Sequence, residues 1–310
     1  MTDTQNEVFK TPVNKIRLFE HGAPGSQNFK LTRKYYTEDM PDGRVKHIVQ
    51  NITDPDIVPY IPDGIGNSTD RQRIPAVLII PGGAFRRLVY NFEGEDVAKW
   101  LNSMGIAAFV LECRLPSDEH DNAEDVPLID AMRAMRVIRG RAQEFGIDEA
   151  KIGVMGFSAG GFMAALLSTA YESDVYADYK YKDEYDKLSA RPDFAVCSYP
   201  VISIDDCIEA GKRYMSEEQV LERISDSKAK ILHKYNPDKL VRPDMPPVFI
   251  CETDDDRTTL SENSVGFYMA ARKAGVSAEL HIFRTGGHGY GCGDDFAQTG
   301  EWKVLFTKWI

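Results

Sequence analysis

The chain has 310 residues, 43% of them hydrophobic and 27% charged, with a net charge of −11. That length suffices to bury one large α/β core. The acidic balance argues against a nucleic-acid partner and against adhesion to an anionic membrane, both of which need clustered Lys and Arg. No apolar run reaches the 18 residues of a spanning helix, and the first residues lack the basic and apolar regions of a signal peptide. Five cysteines without a C-x-x-C pair give neither a disulfide framework nor a zinc site. Cys113, Cys197 and Cys251 lie in apolar runs and read as reduced core thiols, which suggests a cytoplasmic protein.

Residues 1–72 are polar and rich in proline, with strand-like pieces such as 47–52. They read as an antiparallel lead-in within a single domain of residues 1–310. The regular part starts at Ala76–Ile80, a continuous apolar run of the kind found in parallel strands covered on both faces. Val97, Trp100, Leu101 and Met104 then form one helical stripe, ended by Gly105. A buried strand follows at 106–111. Next comes a helix capped by Asp125, with Pro127 in its first turn and an apolar stripe reaching Phe145.

The alternation continues through a strand at 152–156, a helix from Phe162, and strands near 194–199 and 248–251. A helix at 261–274 closed by Gly275, a strand at 279–283 and a closing helix with Trp302 and Trp309 complete it. Strands alternating with helices predict a mostly parallel, doubly wound sheet. Two stretches break the rhythm. Residues 171–190 read as a solvated surface insertion. Residues 201–245 read as a possible cap, because they follow a strand at the ligand-binding edge.

The chemistry concentrates at Gly156-Phe157-Ser158-Ala159-Gly160-Gly161, between a buried strand and a helix. A serine between glycines on such a turn is a nucleophile elbow, which lifts the hydroxyl above the sheet beside backbone N–H groups. The bare pattern arises by chance in about one such chain in ten, so its context decides. On this fold an acid and then a histidine follow the serine in chain order. Strand 248–251 runs into Asp254-Asp255-Asp256, and strand 279–283 runs into Gly286-Gly287-His288-Gly289. His288 is the expected base, and one aspartate is its orienting partner. Of the three, Asp255 is favoured and Asp256 is the alternative. Backbone N–H groups of the Gly82-Gly83-Ala84 loop and of Ala159 are the expected oxyanion donors.

Together these segments resemble the α/β-hydrolase esterases of the acetyl-xylan esterase-like group. The matching residues are Ile80–Phe85, Cys113-Arg114-Leu115-Pro116, Gly156–Gly161, Arg191–Ala195, Asp255-Asp256, Glu262-Asn263-Ser264 and Gly286–Gly291. The resemblance implies an α/β-hydrolase fold with a small cap. It implies a carboxylesterase acting on short acyl esters, acetyl above all, of acetylated sugars or xylan. Ser158, Asp255 and His288 take the triad places, with Gly83, Ala84 and Ala159 at the oxyanion places; Asp255 matches when Glu262-Asn263-Ser264 anchors the comparison. Neither a metal nor an organic cofactor is implied.

Two departures stand out. Ala84 replaces a third glycine, and Cys113 replaces the usual tyrosine before Arg114. The arginine is expected to pair internally, with Asp130. Three rival readings are a prolyl-oligopeptidase-type peptidase, for which residues 1–72 are too few to form the extra domain, a non-catalytic binding protein on the same fold, and a metal hydrolase using Asp254–Asp256, Asp294, Asp295 and His288.

Overall fold

A computed structural model describes residues 9, 12–65, 73–118, 120–213, 215–216, 218–219, 227–293 and 298–310. An eight-stranded sheet forms the centre, in spatial order β1-β4-β7-β5-β8-β9-β10-β11. Its strands are β1 (Ile16–Arg17), β4 (Asp56–Tyr60), β5 (Ile74–Ile80), β7 (Ala107–Glu112), β8 (Ile147–Phe157), β9 (Ala195–Ser198), β10 (Val248–Thr253) and β11 (Ala278–Phe283). From β7 to β11 all neighbours are parallel, while β4 and β1 add on antiparallel. The expected mostly parallel sheet is therefore present. The lead-in supplies its antiparallel edge and also β2 (Lys34–Asp39) and β3 (Val45–Gln50), which form a small second sheet with β6 (Leu88–Val89) from the loop after β5.

The strands are buried because helices cover both faces, which is why they read as unbroken apolar runs. Every residue of β7 and β10 is buried. The described helices are α1 (Asp96–Ser103), α2 (Val126–Gly140), α3 (Ala142–Phe145), α4 (Ala159–Ala170), α5 (Ile204–Lys212), α6 (Ser227–Lys234), α7 (Ser261–Lys273) and α8 (Glu301–Trp309). Trp302 and Phe306 of α8 are fully buried and pack with Trp100 of α1, so the closing helix seals one side of the sheet against the first.

The chain leaves β5 for β7 on one side, then crosses to β8 on the other. Such a switch point opens a crevice at the carboxyl ends of the strands, the preferred place for ligands on this architecture. The loop after β5 and the turn after β8 face each other there.

Three expectations are changed or refined. The helix expected from Asp125 through Phe145 is broken at Arg141, whose φ of −103° and ψ of 17° end α2 before α3 begins. Asp125 also makes no cap bond. Its own backbone is already helical, and its carboxylate accepts from Lys234 and Tyr235 instead. The insertion at 171–190 lies largely at the surface, as expected, but is anchored to the core. Asp183 and Asp186 clamp Arg133 of α2, Tyr179 hydroxyl donates to Gly22 O, and Tyr176 and Tyr179 are buried.

Candidate active site

The elbow is built by close backbone approach. A Cβ on Gly156 would strike Gly160 O, and one on Gly160 would strike Ile80 O, so only glycine fits where β8, α4 and β5 converge. The tight turn forces Ser158 to φ 53°, ψ −118°, a costly conformation for a residue with a side chain. Its N–H donates to Ser198 O at 3.0 Å, which ties the elbow to β9. Strain held by such bonds is common where geometry serves function.

The structure brings Ser158 and His288 together. His288 Nε2 lies 2.9 Å from Ser158 Oγ. His288 Nδ1 lies 2.6 Å from Asp256 Oδ2. The order serine, histidine, carboxylate is thus complete in space, and its carboxylate is Asp256, not the favoured Asp255.

The reason is the direction of the turn after β10. Asp256 N–H donates back to Thr253 O, which swings the Asp256 side chain inward. Its Oδ1 accepts from the N–H groups of Thr258 (2.7 Å) and Thr259 (3.0 Å), and its Oδ2 from Thr259 hydroxyl (3.0 Å) and His288. Asp255 faces outward and is exposed; its Oδ1 accepts from Gly287 N–H at 2.8 Å. It therefore braces the backbone of the histidine loop and leaves the imidazole alone. Thr253 hydroxyl donates to Gly287 O on the other side of the same residue, at 2.9 Å. Asp254 is exposed as well. Asp294 and Asp295, part of the metal reading, lie outside the described residues; among those described, no cluster of three or more His, Cys, Asp or Glu side chains is arranged to hold a metal.

Burial by itself would push the Asp256 carboxyl up. The hydrogen bond and charge of His288, with the two threonine N–H groups, outweigh that and hold it below the usual carboxylate range. The site therefore keeps a fixed negative charge beside Nδ1. With Nδ1 protonated, Nε2 is left to accept from the serine hydroxyl.

The loop after β5 packs directly on the elbow: a Cβ at Gly82 would meet Ser158 Cβ at 2.9 Å. Gly83 has φ 137°, and a Cβ there would strike Arg87 O; Ala84 and Phe85 follow at φ 58° and 59°. This succession of positive φ turns the loop sharply, and Gly83 O accepts from Arg86 and Arg87 N–H. The N–H groups of Gly83, Ala84 and Ala159 have no partner among the described hydrogen bonds, and that of Ala159 is a first-turn donor of α4. Gly82 N–H, in contrast, is taken by Glu93 Oε2 at 2.8 Å.

Arg114 pairs with Asp130 as expected. The backbone N–H, Nε and Nη2 of Arg114 all donate to that carboxylate, Nη1 donates to Ser26 Oγ and Pro24 O, and both side chains are fully buried. A narrow apolar recess of about 10 Å3 lies beside the elbow. Its walls include Phe85, Cys113, Leu115, Pro116, Ala159 and Met163. Described parts of 201–245 pack at the same end: α6 is tied to Asp125, and the Ile202 and Ser203 N–H groups donate to Asn263 Oδ1.

Sequence reasoning missed Glu93 and Tyr199. Both are buried. Tyr199 hydroxyl donates to Glu93 Oε1 at 2.9 Å and accepts from Gly291 N–H at 3.1 Å. A signal existed for Glu93, which stands four residues before Val97 on the apolar stripe of α1, where an acid has no reason to be solvated. None pointed to Tyr199, which sits among ordinary apolar residues.

Comparison with known proteins places the chain further. The BD-FAE family model matches residues 65–270, a span that contains Ser158 and Asp256 and ends before His288. An acetylxylan esterase of Xylanibacter ruminicola is 31% identical over 237 residues, 76% of this chain and 45% of the relative. An endo-1,4-β-xylanase B of Butyrivibrio fibrisolvens is 29% identical over 269 residues, 84% of this chain and 40% of that one. This chain thus spans less than half the length of either relative. Among solved structures, the acetyl ester-xyloside bifunctional hydrolase of Caldicellulosiruptor lactoaceticus superposes with a TM-score of 0.70 at 34% identity, over 95% of this chain and 94% of that one. A carboxylesterase of Lactobacillus plantarum, 21% identical with a TM-score of 0.65 over 90% and 96% of the two chains, shares the fold. Sheet order, elbow and family match agree, and this chain belongs to the BD-FAE family, on the α/β-hydrolase fold.

Proposed function

We propose that this chain is a serine carboxylesterase that removes short acyl groups, acetyl above all, from acetylated sugars or xylan oligosaccharides. One observation carries the chemistry: Ser158 Oγ, His288 and Asp256 form a continuous hydrogen-bonded line of 2.9 and 2.6 Å. In this reading His288 Nε2 takes the serine proton as Ser158 Oγ attacks the ester carbonyl. Asp256 keeps Nδ1 protonated and stabilises the imidazolium. The N–H groups of Gly83, Ala84 and Ala159 are the donors for the tetrahedral oxyanion. His288 then returns its proton to the leaving alcohol, leaving an acyl-serine. Water attacks that acyl group as His288 takes its proton, and Ser158 departs with the proton restored.

Substrate class rests on other supports. The recess beside the elbow is narrow and apolar, which disfavours a long acyl chain. The relatives named acetylxylan esterase and acetyl ester-xyloside hydrolase point to a sugar as the alcohol. The stretch 201–245, whose described parts lie at the same end of the sheet, is the proposed cap on the sugar side. No described helix is long and apolar enough to cross a membrane. Cys113, Cys197, Cys251 and Cys292 are buried free thiols, which favours a reducing, cytoplasmic setting.

The test is a panel of esters of graded acyl length, with acetylated xylo-oligosaccharides, on the wild type and on Ser158→Ala. Acetyl esters are expected to be cleaved fastest and the variant to be inactive. Full activity in Ser158→Ala, or a preference for long acyl chains over acetyl, rejects the reading.

A further inference from the structure

Glu93 and Tyr199 form a buried strut that no step of the ester mechanism uses. Glu93 belongs to a five-residue π-helical turn, Asn91–Glu95, just before α1. Such turns are rare and cluster at functional sites. The Glu93 carboxylate is enclosed, and each of its oxygens has a donor: Gly82 N–H on Oε2 and Tyr199 hydroxyl on Oε1. Gly82 precedes the two loop N–H groups proposed for the oxyanion. Tyr199 hydroxyl in turn receives Gly291 N–H, and the Tyr199 ring lies edge-on to His288, with centroids 5.0 Å apart. Tyr199 is held at φ 37°, and its N–H donates to Cys251 O at 2.7 Å. The strained backbone at 199 is thus fixed by β10, while its side chain reaches across to the turn before α1.

We propose that Glu93 is a positioning residue, whose carboxylate joins the oxyanion loop at Gly82 to the histidine loop at Gly291 through the Tyr199 hydroxyl. The proposal rests on the Ser158–His288–Asp256 reading. The strut sets the spacing of two loops that converge on one serine from β5 and β11, strands that are not neighbours in the sheet. A neutral isostere disturbs it: in Glu93→Gln the amide nitrogen faces either Gly82 N–H or Tyr199 hydroxyl, two donors that each need an acceptor. Burial pushes the Glu93 carboxyl up, and the nearby His288, the Tyr199 hydroxyl and the Gly82 N–H pull against that. The remaining groups on the imidazole are Asp256, Thr259 hydroxyl and Ser158.

The experiment compares Glu93→Gln, Tyr199→Phe and the double variant in the whole chain. Folding is checked by circular dichroism, and kcat and KM of acetyl-ester hydrolysis are measured. Glu93→Gln is expected to lower kcat about 100-fold and Tyr199→Phe about 10-fold, with KM changed less than about 3-fold. The double variant is expected to be no worse than about 3-fold below Glu93→Gln alone, because one connected strut can be broken only once. Folded single variants with wild-type kcat, or losses that multiply fully in the double variant, overturn the proposal. Ser158→Ala separates it from the reading beneath. An active Ser158→Ala means that the triad reading itself has failed; an inactive one beside an unaffected Glu93→Gln means that only the role of Glu93 has.

Discussion

Two carboxylates at the same end of the sheet show what a partner does to a buried acid. Asp130 and Asp256 are both fully buried at the side chain. Asp130 faces a guanidinium that donates several bonds and never gives up its proton. Asp256 faces an imidazole that remains 21% exposed and can gain and lose one. The first pair is closed, and it joins α2 through Arg114 to Pro24 and Ser26 of the lead-in. The second is open at Nε2, where Ser158 stands. The same acid therefore serves as an anchor in one place and as an orienting charge in the other, according to its neighbour.

The largest expected effect separates Asp256 from its neighbour in sequence. Asp256→Asn is expected to lower kcat about 10⁴-fold through loss of the required imidazole tautomer. Asp255→Asn keeps an oxygen for Gly287 N–H and is expected to stay within about 3-fold of wild type. Initial rates on an acetyl ester decide; the reverse ranking would return the orienting role to Asp255. The anchor should respond the other way. Arg114→Ala leaves a buried carboxylate unpaired, and chemical unfolding is expected to show a loss of about 3–5 kcal/mol. Activity per folded molecule should persist. A catalytic loss in a fully stable variant would erase the distinction drawn between the two pairs.

A smaller effect concerns the loop that Asp256 never touches. Gly83→Ala sets a methyl against Arg87 O at φ 137°, and is expected to displace one oxyanion donor. The anticipated cost is about 100-fold in kcat with little change in KM, and a wild-type kcat would remove Gly83 from the site. The smallest effect involves a third kind of carboxylate, Asp118, which receives Ile52 N–H and whose pKa burial pushes up from 3.8 to about 6. Its folded form holds a proton that its unfolded form has lost, so its contribution to stability falls as pH rises from about 4 to about 6. Asp256 has the opposite sign: its contribution is present above pH 3.8 and is lost as pH falls through its lowered folded value. Asp118→Asn should flatten the first slope in a plot of unfolding free energy against pH; an unchanged slope would contradict it.

Much of the site is legible in the sequence. Glycine at 156 and 160 by itself declares a close backbone approach, and Ser158 and His288 follow from strand order and loop composition. The Arg114–Asp130 pair is within reach through the family resemblance, which implies a structural arginine with an internal acid. The choice among Asp254, Asp255 and Asp256 is not legible, since their chemistry is identical. Only Thr258 and Thr259 hint at it, because an aspartate two or three residues before free N–H groups tends to accept from them. Residues 171–190 do lie at the surface, but the sequence does not show that Arg133 and Phe19 anchor them there, since abundant Tyr, Asp and Lys look merely solvated in one dimension.

What the chain determines by itself is local and periodic: the apolar runs of the strands, the helix stops, the elbow, and the order of serine, acid and histidine. Tertiary structure alone decided the directions of side chains that converge from separate strands. The turn after β10 aims Asp256 rather than Asp255 at His288, and residues 82, 93, 199 and 291, distant along the chain, meet in one strut. Such meetings depend on crossing the sheet at its switch point, and no spacing within a single segment encodes them.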